Sequence, residues 1–291
     1  MTPTPAPVHN HSTMTTNTSA NLPIGVFDSG VGGLTVLREL RRALPAEDFL
    51  YLGDTARLPY GTKSGATVAR YALQTTRVLV DIGVKMLVVA CNTASSVALP
   101  GLSEAYPGLP VTGVIEPGAA AACEAAPRGR IAVIATGGTV RGAAYQAAIL
   151  RRRPEATIAT RPAQLFVSLA EEGWTDGGIV TDIARRYLEP LMAEFPDGGP
   201  DCLVLGCTHF PVLAGAIRSV LPSGVCLIDS AATTAHWVAS ELAARGQLCA
   251  DNGRGGTVRF FATDDPERFA KIGEIFLGEP LAPSGVTLVD L

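Results

Sequence analysis

Two segments of this chain nearly repeat each other: LVVACNTASS at residues 87–96 and LVLGCTHFP at residues 203–211. Each runs from apolar residues into a cysteine and then into polar residues that include threonine. This pattern is typical of a buried parallel strand that delivers a reactive side chain to the loop after it. The two thiols, Cys91 and Cys207, are therefore predicted to flank one substrate from opposite sides.

The repeat keeps its register over a longer stretch of sequence. The two cysteines lie 116 residues apart, and segments 85–91 and 201–207 align without a gap. A second pair of segments, 24–30 and 131–137, aligns at a spacing of 107 residues. We interpret the shared order, a strand with a glycine loop and then a strand with a cysteine, as an internal duplication. The alternative is that strand ends in any α/β protein share some of this likeness.

Length and composition indicate a compact enzyme. A chain of 291 residues is long enough for two domains of ordinary size, each with its own core. Charged residues make up 17% and hydrophobic residues 47%, which is typical of an α/β enzyme and not of a disordered or fibrous chain. The net charge of −4 argues against a nucleic-acid partner.

The first residues of the chain, its apolar stretches and its cysteines indicate where in the cell the protein is expected to act. Residues 1–21 contain no Lys, no Arg and no apolar run, which predicts a disordered tail and not a signal peptide. No stretch reaches the roughly 18 apolar residues of a membrane span. Without export, the six cysteines are expected to stay reduced, which favours the cytoplasm.

Strands alternate with helices along the chain, which predicts an α/β fold with mostly parallel sheets flanked by helices. We expect a first domain from residues 22–115 plus 227–291 and a second, similar domain from residues 116–226, related by a pseudo-twofold axis. Ligands bind beyond the carboxyl ends of parallel strands, so the active site is expected in the cleft between the domains. The predicted strands are 24–27, 49–52, 87–90, 111–115, 131–135, 157–160, 203–205, 227–230 and 258–263. The predicted helices are 34–43, 66–82, 94–99, 119–126, 141–151, 165–172, 179–195, 214–221 and 233–245.

The position of two cysteines distinguishes them from the rest. Cys91 and Cys207 each close a strand and open a helix, where backbone N–H groups are expected to hold the thiol pKa below its free value of about 8.5. The alternative for any cysteine is a small buried apolar residue. That alternative is our interpretation of the four other cysteines, Cys123, Cys202, Cys226 and Cys249.

His209 follows Cys207 by two residues and could be a metal ligand, an acid–base partner or a helix cap. Two of the four histidines lie in the first 21 residues, and the sequence contains no CxxC motif. A zinc site needs three or four ligands, so no metal is expected. We favour His209 as a partner of the thiol or of the substrate.

Asp28 ends the first predicted strand and precedes a glycine-rich loop. It could cap a turn, hold an ammonium group or act on a thiol. The loop does not match GxGxxG and no GK[ST] follows, so a nucleotide cofactor is not expected. Uncharged donors at the strand ends could hold carboxylates without an arginine; they are Ser29, Asn92, Thr93, Thr136, Thr139 and Thr208.

Five strings occur in order: GVFDSGVGGLTV, YLGDTARLPYG, VVACNTAS, GVIEPGA and LGCTHFP. Together they resemble the cofactor-independent glutamate racemases, over about residues 24 to 240. The resemblance implies two similar α/β domains, a pair of cysteines across a cleft and free L- and D-glutamate as substrates. It also implies no cofactor, a homodimer and the supply of D-glutamate for peptidoglycan.

The resemblance also implies roles for single residues. Cys91 would take the α-proton from D-glutamate and Cys207 from L-glutamate, while Asp28 and His209 assist them. The family also carries a glutamate near a PLVE string; here FVSLAEEG points to Glu171, with Ser and Ala in place of the usual Pro and Val. The matching substrate contacts are Asp28, Ser29, Pro59, Tyr60, Gly61, Asn92, Thr93, Thr139, Thr208 and His209.

Other functions share part of this pattern. An aspartate or hydantoin racemase would carry both cysteines, although the DSGVGGLTV and PYG strings favour glutamate. A decarboxylase of related fold would carry only one. The chain could also be a catalytically silent regulatory protein that binds an amino acid.

Overall fold

The computed structural model describes residues 18–195, 198–251 and 253–291. Most of the predicted tail, residues 1–17, lies outside the described residues. The end of that tail, Thr18–Asn21, forms a short 3-10 turn, so the prediction of disorder is wrong there. The turn is held because Lys85 Nζ donates a hydrogen bond to the carbonyl of Ala20 at 2.7 Å.

The described residues form two sheets in which every strand pair is parallel. The strands are β1 (Ile24–Asp28), β2 (Phe49–Gly53), β3 (Met86–Val89), β4 (Val111–Gly113), β5 (Arg130–Ala135), β6 (Thr157–Pro162), β7 (Cys202–Gly206), β8 (Cys226–Asp229), β9 (Val258–Ala262) and β10 (Val286–Leu288). The first sheet has the order β10-β9-β2-β1-β3-β4 and the second the order β6-β5-β7-β8. The predicted α/β fold with parallel sheets is confirmed.

Helices cover both faces of each sheet. They are α1 (Leu34–Ala43), α2 (Gly65–Ile82), α3 (Asn92–Ser95), α4 (Leu99–Ala105), α5 (Ile115–Ala125), α6 (Gly137–Gly142), α7 (Ala144–Arg152), α8 (Leu165–Glu171), α9 (Gly178–Met192), α10 (Ala214–Val220), α11 (Ser230–Ala244) and α12 (Pro266–Leu277). No helix among the described residues is both long and apolar enough to cross a membrane.

The two sheets repeat one arrangement. The order β2-β1-β3-β4 in the first matches β6-β5-β7-β8 in the second. The segments that echo each other in the sequence are the central strands, β1 with β5 and β3 with β7. This agreement supports the internal duplication, because likeness of isolated strand ends would not reproduce the order of four strands.

The boundary of the second domain needs a correction. The strand predicted at 227–230, which we assigned to the first domain, is β8, and it pairs with β7 in the second sheet. The reason lies in the repeat, because β8 follows β7 as β4 follows β3. The later strands β9 and β10 do lie in the first sheet. The division into two domains remains our proposal, with residues 226–229 moved to the second.

In each copy of the sequence repeat, the helix that follows the fourth strand packs against the other copy. Helix α11 follows the second sheet but buries Val238 and Leu242 in a core with Leu37 of α1. Helix α5 follows the first sheet but buries Ala122 in a core with Ile149 of α7. Each half therefore completes the core of the other, and burial of this apolar surface joins them.

The remaining differences are local. The helix predicted at 141–151 is broken at Ala143, which adopts a left-handed conformation with φ of 51° between α6 and α7. The prediction missed α12 and β10. The start of α12 carries a clear signal, because Asp265 caps it by accepting a hydrogen bond from the N–H of Arg268 at 2.9 Å and Pro266 occupies its first turn.

Candidate active site

The carboxyl ends of the central strands of both sheets meet at one small cavity. Asp28, Cys91 and Cys207 lie at these ends, and all three are buried. The cavity has a volume of about 30 Å³. Its walls come from both halves of the chain and include Ser29, Tyr60, Gly61, Thr93, Thr136, Gln164, Glu171 and His209.

Cys91 caps the short helix α3, and its Sγ accepts a hydrogen bond from the N–H of Ala94 at 3.4 Å. Burial and, to a smaller extent, the charge of Asp28 raise the pKa of Cys91 to about 12, although hydrogen bonds from the hydroxyl of Ser29 and the N–H of Ala94 act in the opposite direction. The prediction of a lowered pKa is therefore wrong for Cys91, because a helix of one turn does not offset burial. Cys91 carries its proton at neutral pH.

Cys207 has a different partner. Its Sγ lies 3.8 Å from Nδ1 of His209, and Nε2 of His209 lies 3.1 Å from Oε1 of Glu171. Burial lowers the pKa of His209, but hydrogen bonds and charge from Cys207 and Glu171 outweigh it and raise the pKa to about 10. The imidazole is therefore protonated at neutral pH and stands between a sulfur and a carboxylate.

Glu171 completes this chain at the end of α8. Burial raises its pKa, but the hydrogen bond and charge of His209 and the charge of Arg268 together hold that pKa below its ordinary value. Arg268 Nη2 lies 3.9 Å from Oε2 of Glu171. The chain Cys207, His209, Glu171 therefore ends in an ionised carboxylate that stabilises the charged imidazole.

The glycine loop after β1 makes room for His209. A Cβ atom on Gly32 would lie 2.4 Å from Nδ1 of His209 and 2.5 Å from Oγ1 of Thr208. The hydroxyl of Thr35 donates a hydrogen bond to the carbonyl of Thr208 at 3.0 Å. The absence of a side chain at Gly32 therefore allows this loop to pack closely against Thr208 and His209 of the other half.

Two acceptor atoms near the cavity are buried without a hydrogen-bond partner among the described residues: Oδ1 of Asp28 and Oδ1 of Asn92. The other oxygen of Asp28 accepts the N–H of Gly30 at 2.9 Å, and Nδ2 of Asn92 donates to the hydroxyl of Tyr145 at 2.9 Å. Burial raises the pKa of Asp28. Buried acceptors normally have partners, so these two mark places for a ligand that donates hydrogen bonds, such as an ammonium group.

Three threonine hydroxyls join the two halves beside the cavity. Thr93 Oγ1 lies 2.9 Å from that of Thr136 and 3.2 Å from that of Thr139, and the latter two are 3.1 Å apart. All three residues are buried. Hydroxyls can donate to a carboxylate, and Thr93 and Thr136 line the cavity directly.

The structure gathers the predicted site residues around this one cavity. Of these, Ser29, Pro59, Tyr60, Gly61, Thr93, Glu171 and His209 line it, while Asp28, Cys91, Asn92, Thr139, Cys207 and Thr208 lie behind or beside that lining. The hydroxyl of Tyr60 is not available to donate to a ligand, because it donates a hydrogen bond to Asp54. Tyr60 therefore contributes a wall and its backbone, not a free hydroxyl.

Sequence reasoning missed several residues of the site. Gln164 lines the cavity from the junction of β6 and α8, where the strand-end rule that found Asp28 would also have pointed. Tyr145 and Phe276 carried no motif. The ring of Phe276 packs against His209 at a centroid distance of 5.0 Å.

The titratable residues do not form a metal site in the part of the chain that the structure describes. No group of three or more His, Cys, Asp or Glu side chains is arranged to hold a metal ion there. The arrangement instead offers two buried thiols with different polar neighbours.

Comparison with known proteins identifies the relatives of this chain. The profile of a family described as Asp/Glu/Hydantoin racemase matches residues 24–238. The chain is 50% identical to the glutamate racemase of Geobacter metallireducens over 258 residues, which cover 89% of this chain and 93% of that protein. The crystal structure of glutamate racemase from Thermus thermophilus in complex with beta-chloro-D-alanine is 45% identical, with a TM-score of 0.82, covering 94% of this chain and 98% of that one. The glutamate racemase from Francisella tularensis in complex with D-glutamate is 38% identical, with a TM-score of 0.84, covering 93% and 98%.

Proposed function

This chain belongs to the Asp/Glu/hydantoin racemase family and is a glutamate racemase, and we propose that Cys91 and Cys207 exchange the α-proton of glutamate on opposite faces. One observation carries the proposal. Two matching strand ends, one from each half, carry a buried cysteine beside the same cavity, and the two thiols have different polar neighbours, Asp28 near Cys91 and His209 near Cys207. A racemase must act on both faces of one carbon, and one base cannot readily do so.

The proton transfer from L- to D-glutamate follows from the environments of the thiols. Cys207, as the thiolate, takes the α-proton, and the electron pair of the C–H bond stays on the α-carbon. Cys91, which carries its proton, gives that proton to the opposite face. Cys207 is then a thiol and Cys91 a thiolate. The reverse reaction begins from this state, and the charged imidazole of His209 stabilises Cys207 whenever Cys207 is the thiolate.

The α-proton of an amino acid is very weakly acidic, so the site must stabilise the carbanion. We propose that Thr93 and Thr136 donate hydrogen bonds to the α-carboxylate, where charge develops. Oδ1 of Asp28 and Oδ1 of Asn92 would accept from the ammonium group. Exclusion of water strengthens each of these interactions.

The size of the cavity implies movement. About 30 Å³ is space for roughly one water molecule and is too small for glutamate. The two halves or the loops between them must therefore open to admit substrate and close to exclude water.

The wider setting rests on the resemblance to glutamate racemases. We propose that the enzyme acts in the cytoplasm as a homodimer and supplies D-glutamate for peptidoglycan. The net charge of −4 supports the absence of a nucleic-acid partner.

The test is direct. Purified enzyme is incubated with L-glutamate or, separately, L-aspartate, without added cofactor, and the enantiomers are separated by chiral chromatography. We expect L-glutamate to approach an equal mixture of enantiomers while L-aspartate reacts at least about a hundredfold more slowly. Absence of D-glutamate, or faster racemisation of aspartate, would contradict the proposed function.

A further inference from the structure

A second cavity adjoins the one at the thiols. It has a volume of about 450 Å³, against about 30 Å³ at the thiols, and Thr93 lines both. Its walls come from the start of α2 in the first half and from α6 in the second, with the segment after Cys91 between them. A cavity of this size is in the range that binds small molecules, of roughly 300–1,000 Å³.

The charge of this outer cavity has one sign. Its two charged residues are Lys63 from the first half and Arg141 from the second, and no Asp or Glu lines it. Within the described residues, neither side chain forms an ion pair with a carboxylate. By contrast, Arg57 pairs with Asp54 and Arg128 with Asp201. Lys63 and Arg141 therefore face one cavity from opposite halves without a carboxylate between them.

Further groups suited to anions surround these cations. The 18-residue helix α2 begins at this cavity, and its positive end adds to the potential there. Arg141 reaches across the two halves, where Nη2 donates a hydrogen bond to the carbonyl of Gly61 at 3.4 Å. Gly61 also lines the inner cavity, so the cation stands at its edge.

We infer that Lys63 and Arg141 form an outer subsite that binds a carboxylate of glutamate before the substrate reaches the thiols. The inference rests on the proposed function and extends it to the path of the substrate. Glutamate carries two carboxylates and one ammonium group, so it is a net anion, and two cations with low competition from nearby carboxylates attract it. A cleft with charge of one sign raises association rates by about 10- to 1,000-fold at low salt.

The experiment compares charge removal inside the cleft with the same charge removal elsewhere. The double variant Lys63→Gln with Arg141→Gln loses two positive charges at the outer subsite. The control Arg77→Gln with Arg185→Gln loses two positive charges from exposed helix positions where each arginine already pairs with an acid. The kcat and kcat/KM for L-glutamate are measured at low and at high ionic strength.

We expect the outer-subsite variant to lose about tenfold in kcat/KM at low ionic strength, with kcat within about twofold of wild type. The loss should shrink at high ionic strength, because salt screens the cations. The control variant should match wild type throughout. An outer-subsite variant that tracks the control at every ionic strength would overturn the inference, as would a fall in kcat equal to the fall in kcat/KM.

A conservative variant separates charge from the contact with Gly61. Arg141→Lys keeps the positive charge but loses the guanidinium fork, and we expect it to retain most of the wild-type kcat/KM. A loss as large as that of Arg141→Gln would assign the effect to the contact and overturn the subsite. If wild type does not racemise glutamate at all, the proposed function fails; if wild type is active and the charge variants behave as the control, only the outer subsite fails.

Discussion

The two cysteine strand ends of this enzyme share a backbone design and differ in their proton partners. Cys91 is fully desolvated near Asp28, and its pKa of about 12 keeps the proton on sulfur. Cys207 lies 3.8 Å from a charged imidazole, which a carboxylate holds from the other side. Duplication accounts for the matching positions of the two thiols, and their different neighbours are the basis of the different roles that we propose for them.

The largest expected effect comes from removing either thiol. Cys91→Ser and Cys207→Ser should each reduce racemisation by about a thousandfold, because an alcohol is a far weaker acid than a thiol: it donates a proton poorly and is almost never ionised to accept one. Rates with both enantiomers of glutamate are measured by circular dichroism. The matched control is Cys123→Ser, a half-buried cysteine of α5, which should stay near wild type. Full activity in either active-site variant would contradict the proposal that both thiols are needed.

A smaller effect should follow from removing the partner on the Cys207 side only. His209→Gln keeps a polar side chain of similar size but carries no positive charge to stabilise the Cys207 thiolate, so we expect kcat to fall about a hundredfold. His236→Gln changes an exposed histidine and serves as control. If His209→Gln retains wild-type kcat, the two strand ends are more alike than the structure indicates.

The smallest effect is the dependence of stability on pH. The pKa of His209 is about 10 in the folded protein, against an ordinary value of 6.5. Between these values the folded state holds a proton that the unfolded state lacks, so this stabilisation is complete below pH 6.5 and is lost as pH rises through about 10. Urea unfolding at pH 6.5, 8 and 10 should show the advantage of wild type over His209→Gln shrinking with pH.

The same measurement on Glu171→Gln sharpens this prediction. Loss of the carboxylate removes a hydrogen bond and a negative charge from His209, so its pKa should fall. The pH at which the stabilisation is lost should therefore move down. An advantage that grows with pH in wild type would contradict the charged imidazole.

Part of this account could be predicted from the sequence. The repeat around Cys91 and Cys207 located the central strands, because apolar runs that end in polar residues mark buried parallel strands. It also placed Asp28 at an equivalent strand end. The boundary at β8 failed because we expected the final segment to return to the first domain from residue 227, whereas β8 follows β7 in the second sheet as β4 follows β3 in the first.

Other features depend on the folded molecule. The raised pKa of Cys91 arises from burial and from Asp28, which approaches from another strand. Phe276 packs against His209, and Arg268 lies near Glu171. Both residues come from α12, at the far end of the chain. Helix α11 packs against α1, and α5 packs against α7, through contacts between apolar side chains of the folded chain. Sequence spacing contains none of this information.

The most direct test of two thiols on opposite faces is the fate of the α-hydrogen in D₂O. Wild-type enzyme is equilibrated in D₂O and reacted with protiated L-glutamate to low conversion, and the enantiomers are separated and analysed by mass spectrometry. We expect D-glutamate to carry one deuterium at the α-carbon, since its proton comes from the opposite thiol, while recovered L-glutamate keeps protium. D-glutamate that retains the original hydrogen would show that one group serves both faces and would contradict the account.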